Sequence, residues 1–203
     1  MADTHELHRE LDVPSGDVLI HAGDFTMFSR SESAIRDFNA WLGELPHRHK
    51  LVVPGNHEFF LEADPSSRRL LSNAQVLIDQ GIEIAGLRFW GSPVTPSYGG
   101  AFGLSTQVER ERHWARMART DVLITHGPPE GIMDQADAGG GHIGDPELRE
   151  TVRRTQPLLH VFGHVHGAYG QLTVGETRFI NCALLGFDGS LSQQPVRIRI
   201  PRR

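Results

Sequence analysis

The chain has 203 residues, enough for one domain spanning 1–203 with a substantial core, and its 38% hydrophobic and 22% charged content is that of a globular protein. A net charge of -5 offers no basic surface for a nucleic-acid polymer, so none is expected as a partner. No apolar run approaches a membrane span, Met1-Ala2-Asp3 opens no signal-peptide core, and the single Cys182 fits a reducing compartment, so no membrane and a cytoplasmic location are expected.

Asp3-Thr4-His5 comes at once. A carboxylate and an imidazole at i and i+2 turn to one side of an extended segment and form a mixed oxygen and nitrogen ligand pair. Only Met1 and Ala2 precede it, so either the strand that delivers it is very short or the beginning has been lost. Asp17-Val18-Leu19-Ile20-His21-Ala22 reads as a buried strand ending at Gly23-Asp24. Asp24 then lies just past a strand end, where ligand sites of open α/β sheets gather. From Ser31 to Leu45, Ile35, Phe38, Trp41, Leu42 and Leu45 recur at helical spacing, with Ser31 or Ser33 as N-cap. Lys50-Leu51-Val52-Val53-Pro54 is a second strand, ending at Gly55-Asn56-His57-Glu58 and completing a βαβ unit. Glu58 either orients His57 or is a plain surface residue.

Ser66 to Ala74 predicts a short helix, and Val76-Leu77-Ile78 with Ile82 to Gly91 predicts short strands or a hairpin. Ser92 to Gly103 is a loop, and Trp90, Tyr98 and Phe102 either line a cleft or pack beneath it. Leu104 to Arg119 predicts a charged helix. Asp121-Val122-Leu123-Ile124-Thr125 is a third buried strand, ending at His126-Gly127-Pro128-Pro129. The long loop from Glu130 to Asp145 contains Gly139-Gly140-Gly141-His142, which suits a lid. No Gly-Lys-Ser/Thr follows, so it is not a P-loop. Pro146 to Thr155 predicts a helix, and Leu158 to Phe162 a strand leading into Gly163-His164-Val165-His166-Gly167. Short strands follow to Ile200, clearest at Phe179 to Ala183 and Val196 to Ile200. Arg197, Arg199, Arg202 and Arg203 mark a solvated strand face rather than a nucleic-acid patch.

An H-x-H alone is weak, but here four predicted strands end in metal-ligand residues: Asp24, Asn56, His126, and His164 with His166. With Asp3 and His5 the chain offers seven ligands, whereas one zinc needs about three or four. Seven implies two ions bridged by a carboxylate, and a metal pair is the usual apparatus for in-line displacement at phosphorus.

The ordered set Asp3-x-His5, Gly23-Asp24, Gly55-Asn56-His57-Glu58, His126-Gly127 and Gly163-His164-Val165-His166 resembles the calcineurin-like metallophosphoesterase superfamily. Gly23-Asp24-Phe25-Thr26, Phe38-Asn39-x-Trp41-Leu42-Gly43 and Thr125-His126-Gly127-Pro128-Pro129 are similar to its metallophosphoesterase-domain branch, associated with cyclic nucleotides. The resemblance implies an α/β four-layer sandwich of two mixed sheets flanked by helices. It implies one ion on Asp3, His5, Asp24 and His166, and another on Asp24, Asn56, His126 and His164, with Asp24 bridging. Manganese is the first expectation, iron or zinc the alternatives. A hydroxide activated between the ions is the implied nucleophile, with His57 acting on the leaving oxygen or phosphate beside Asn56. Family protein phosphatases carry arginines where this chain has Thr26-Met27-Phe28 and Pro54, which favours a small monoanionic diester, plausibly a cyclic nucleotide, over a monoester. A phosphomonoesterase of the same fold and a non-catalytic metal-binding scaffold are the alternatives.

Overall fold

The computed structural model describes residues 1–28, 31–136 and 140–200. In chain order its elements are β1 (Val18–His21), α1 (Glu32–Glu44), β2 (His49–Val52), α2 (Phe59–Ala63), β3 (Gln75–Val76), β4 (Gln80–Ile84) and β5 (Leu87–Ser92). After these come β6 (Thr95–Pro96), β7 (Gly103–Leu104), α3 (Gln107–Trp114), β8 (Val122–Thr125), α4 (Pro146–Thr155), β9 (Leu159–Phe162), β10 (Gly170–Val174) and β11 (Thr177–Asn181). Strands β1-β2-β3 form one sheet, parallel throughout. The other runs β10-β11-β9-β8-β5-β4, with a parallel centre and an antiparallel strand at each edge. The short β6 and β7 pair with each other.

Side-chain alternation builds four layers from these sheets. Ala22, Leu51 and Val53 from one sheet meet Phe89, Val122, Ile124, Val161 and Ile180 from the other, a core between the sheets. On the outer face of the small sheet, Leu19 and Val52 pack against Ile35, Phe38, Trp41 and Leu42, the apolar stripe of α1. On the outer face of the large sheet, Leu123, Phe162 and Phe179 meet Trp114 of α3 and Leu148 and Val152 of α4. Each large side chain so buried contributes about 1.5–3 kcal/mol. Every residue of β8 and β9 is buried, which is why both read as continuous apolar runs.

Met1 and Ala2 form a very short extended segment at the seam between the sheets, with Asp3 directly after it. The Ala22 and Asp3 amides donate to Met1 and Gly23 carbonyls, and the Ala2 and Leu184 amides donate to Cys182 and Ala2 carbonyls. This segment delivers Asp3 and His5. A cavity of about 610 Å³ beneath it runs along Val18, Ile20, Leu87 and Ile180 and is roofed by Val196 and Ile198. None of the seven expected ligands lines it.

Three expectations change in detail and one, the hairpin, is met. The helix foreseen at Ser66 to Ala74 is instead α2 followed by a 3-10 turn at Pro65–Leu70, because Asp64 caps Ser66 and Pro65 interrupts the helical hydrogen bonding. The charged helix begins only after Thr106, where a capping box with Glu109 starts it, and it ends at Trp114. The β4–β5 hairpin is present, its turn made by Ala85 and Gly86 at φ 52° and 79°. Val196 to Ile200 alternates as foreseen, with Arg197 and Arg199 exposed, but among the described residues it pairs with no strand. Arg202 and Arg203 lie outside the described residues.

Candidate metal centre

The loops that follow β1, β2, β8 and β9 meet at one edge of the two sheets, because the strands of each pair run parallel. Asp3, His5, Asp24 and His164 adopt φ of 54°, 40°, 53° and 69°, a left-handed region that non-glycine residues enter at a cost of about 1–3 kcal/mol. Gly55 and Gly163 permit the close approach of these loops. A Cβ on Gly55 would strike the Asp24 carboxylate and the His126 ring, and one on Gly163 would strike the Asp3 carboxylate.

The side chains converge in overlapping groups: Asp3, His5 and His166; His5, Asp24 and His57; and Asp24, His126 and His164, with ligand atoms within 4.8 Å of one another in each. Asn56 joins the last group through its Oδ1, 2.7 Å from His126 Nε2. All seven residues singled out from the sequence, and His57, are therefore brought together. A single oxygen, Asp24 Oδ2, stands 3.9 Å from His5 Nε2, 3.7 Å from His57 Nε2 and 3.3 Å from His126 Nε2. The other oxygen of Asp24 accepts the His57 amide at 2.9 Å.

Main-chain carbonyls select the ring tautomers. His126 Nδ1 donates to the Ala22 carbonyl at 2.9 Å, and His5 Nδ1 to the Thr26 carbonyl at 3.1 Å. That leaves each Nε2 lone pair turned toward Asp24, the arrangement by which a second hydrogen bond aims a metal-binding imidazole. An acceptor facing acceptors is repulsive until a cation stands between them. The same demand appears in the proton affinities. Burial alone would lower His126, yet the Asp24 carboxylate raises it to about 9. Burial likewise opposes ionisation of Asp24, and His126, His57 and His5 outweigh it and hold that carboxyl well below its usual range. His166 is raised by its attraction to Asp3, with Nε2 3.4 Å from Oδ1, whereas burial and the neighbouring His126 push His164 down to about 4. Asp3 Oδ1 is buried and receives no hydrogen bond from any described residue, an acceptor left free to bind a cation. The donor set of carboxylate, amide oxygen and imidazole fits borderline divalent ions.

Glu58, left open between two roles by the sequence, is neither oriented toward His57 nor on the surface. It is fully buried, and its carboxylate accepts the amides of Asp24 at 2.9 Å, Gly55 at 2.5 Å and Thr26 at 3.0 Å, and the Thr26 hydroxyl at 2.8 Å. It ties the loop after β1 to the loop after β2. Its signal was its fixed place in Gly55-Asn56-His57-Glu58, but no periodicity reveals which donors it meets. Phe28 was also missed: its ring stacks on His57 with centroids 3.9 Å apart. The aromatics considered for a cleft divide. Trp90 packs into the cluster beneath α3 and α4, and Phe102 packs against the α1 cluster, so both serve packing. Tyr98 is exposed and donates to the Ile143 carbonyl at 3.3 Å. Of the expected lid, Gly139 lies outside the described residues, and His142 is held by Asp134 at 2.7 Å.

Comparison with known proteins agrees with this geometry. Residues 1–168 match the calcineurin-like phosphoesterase family. A UPF0046 protein of Caenorhabditis elegans is 37% identical over 219 residues, covering 100% of this chain and 74% of its own. Human metallophosphoesterase domain-containing protein 1 is 36% identical over 228 residues, covering 99% of this chain and 70% of its own. The crystal structure of TT1561 of Thermus thermophilus shares the fold, with a TM-score of 0.55 at 15% identity over 82% of this chain and 76% of that one. No helix among the described residues is long and apolar enough to cross a membrane. Five motifs on four strand ends and a short seam segment, a carboxylate shared by three imidazoles, and whole-chain similarity to these relatives make this chain a member of the calcineurin-like phosphoesterases, a family of metal-dependent phosphoester hydrolases.

Proposed function

We propose that this protein hydrolyses a small phosphodiester, with cyclic nucleotides as the favoured class, at a site that holds two metal ions. The observation that carries the reading is the convergence of His5, His57 and His126 on one oxygen of Asp24, at 3.9, 3.7 and 3.3 Å. Asp3, His5, Asp24 and His166 would hold one ion, and Asp24, Asn56, His126 and His164 the other. Manganese is the first candidate, with iron and zinc next, since the donor set is of borderline softness. Such a pair supplies Lewis acidity at phosphorus and lowers the pKa of water.

The chain's own residues supply the rest. Asp24, held in place by the His57 amide, would offset the mutual repulsion of two cations. Asn56 contributes a neutral oxygen and, with His57, contacts the phosphate. His57 is only partly buried, and its Nε2 is turned toward Asp24 Oδ2, a place from which an imidazole can hold a proton for the departing oxygen. Met27 and Phe28 after Thr26, and Pro54 before Gly55, put apolar groups where a dianionic monoester would want guanidinium. One negative charge on phosphorus suits this site better than two.

The test compares a cyclic nucleotide, a chromogenic diester and a chromogenic monoester at equal concentration with Mn²⁺. Faster turnover of either diester supports the reading. Faster turnover of the monoester leaves a phosphatase, and metal binding without turnover of any ester leaves a scaffold.

A further inference from the structure

Phe28 is more than half exposed, at 57%, and its neighbour Met27 is 49% exposed. An exposed phenylalanine by itself means little. This one is fixed. The residue before Met27 is tied to Glu58 through both its amide and its hydroxyl, and the Met27 amide donates to Glu6 Oε1 at 3.0 Å. Phe28 itself sits at φ 55°, a strained conformation for an aromatic residue. The result is a ring laid against His57, with an interplanar angle of 21° and centroids 3.9 Å apart. Backbone strain and two side-chain tethers maintain an apolar ring in water beside His57, one of the three imidazoles around Asp24 Oδ2.

The covered part of Phe28 steadies His57, and the exposed part faces solvent at the rim of the metal site. His57 Nε2 is 3.7 Å from Asp24 Oδ2, so a phosphoester bound at ions that Asp24 would hold lies within reach of the His57 and Phe28 pair. A planar aromatic group on that ester finds a stacking partner there, whereas an alkyl group does not. We propose that Phe28 is a specificity-determining residue that forms one wall of a subsite for a planar aromatic substituent of the substrate. This rests on the phosphoester reading above and adds the chemical class of the group that the ester carries.

The test is calorimetric binding to the Mn²⁺-loaded full chain, comparing wild type, Phe28→Ala and Phe28→Leu. Two ligand pairs are used: phenylphosphonate against methylphosphonate, and adenosine 5′-monophosphate against ribose 5-phosphate. Wild type is expected to prefer the aromatic member of at least one pair by about ten-fold. That preference should fall to about two-fold or less in Phe28→Ala, with the non-aromatic members unchanged, and Phe28→Leu should keep part of it. A preference in the first pair marks an aryl ester, and one in the second a base carried on a sugar. A wild-type preference in neither pair, a preference that survives Phe28→Ala, or equal weakening of all four ligands overturns the proposal; the last of these leaves Phe28 only steadying His57. Wild-type turnover of bis(4-nitrophenyl) phosphate is followed in parallel. Turnover without the aromatic preference sinks the subsite alone, and loss of both turnover and binding sinks the phosphoester reading with it.

Discussion

His126, just past the end of β8, and His160, inside the neighbouring β9, are equally buried, at 0% exposure, and they behave oppositely. His160 faces a hydroxyl: its Nε2 is 2.8 Å from Thr125 Oγ1, whose own proton goes to the Gly127 carbonyl. Burial then decides, and His160 is pushed down to about 3. His126 faces Asp24, and burial loses to that carboxylate, leaving the ring raised to about 9. His21 repeats the first pattern, meeting the Thr4 hydroxyl at 3.1 Å and driven low by burial. Depth of burial does not separate a packing histidine from a ligand; the partner does. The packing histidines also serve the site, because Thr4 lies between Asp3 and His5, and Thr125 precedes His126. One layer of imidazoles holds the loops that carry the next.

The largest expected effect comes from removing what the site histidines share. Asp24→Ala should lower turnover by more than about 10³-fold and release both ions, since the carboxylate is the one ligand common to the two proposed sets. Elemental analysis alongside an assay with Mn²⁺ checks this, and a variant retaining two ions per chain would show that Asp24 does not bridge. His57→Ala should keep its metals and lose about 10²–10⁴-fold in rate if the imidazole manages the proton of the leaving group. Unchanged turnover would move His57 from the reacting centre to the surrounding scaffold.

A smaller effect is expected at Glu58, which joins two ligand loops without facing any expected ligand side chain other than through the backbone. Glu58→Gln replaces one carboxylate oxygen with a donor that must face donors already in place, whichever way the amide turns. Leaving such a donor unpaired costs about 1–3 kcal/mol, or about 2–12 °C in Tm for a chain of this size. Metal affinity should fall with it, as the loops that carry Asp24 and Asn56 lose their common anchor. A calorimetric scan of metal-free protein and a metal titration together check this. Unaltered affinity in a destabilised variant would separate the fold from the site.

How much of this was legible in advance follows the range of the interactions. Strands β1, β8 and β9 and helices α1 and α4 are visible because a buried strand is a run of apolar residues and a helix repeats its stripe. Asp24, Asn56, His126, His164 and His166 are visible because they follow predicted apolar strands, and Asp3 and His5 because a carboxylate and an imidazole stand two residues apart. Glu58 was not, because its meaning lies in contacts to Asp24 and Thr26 across more than thirty residues of sequence separation. The stack of Phe28 on His57 was hidden for the same reason, and it displaced Trp90 and Phe102, whose rings are taken by the core. The division of twelve histidines between packing and site was also out of reach, since His21 closes the strand Val18-Leu19-Ile20-His21 and His126 directly follows the similar strand Val122-Leu123-Ile124-Thr125, so that the two differ chiefly in what lies opposite.

The smallest effect isolates a packing histidine by its pH dependence. His160 is held down to about 3 by burial, below the ordinary value of 6.5, so the unfolded chain binds a proton that the folded chain refuses between those limits. The sign follows from linkage: the stability carried by neutral His160 is complete above pH 6.5 and is lost progressively as pH falls from there toward 3. His160→Gln keeps a donor for the Thr125 oxygen and removes the titration. Relative to the variant, wild type should therefore lose about 1 kcal/mol more on going from pH 6.5 to 5.5. Urea unfolding at a series of pH values, on metal-free protein so that ligand loss does not intrude, measures the difference. Parallel stability curves for the two proteins would mean that His160 takes up its proton in the folded state, and that a hydroxyl partner in the core does not keep an imidazole neutral as the contrast with His126 requires.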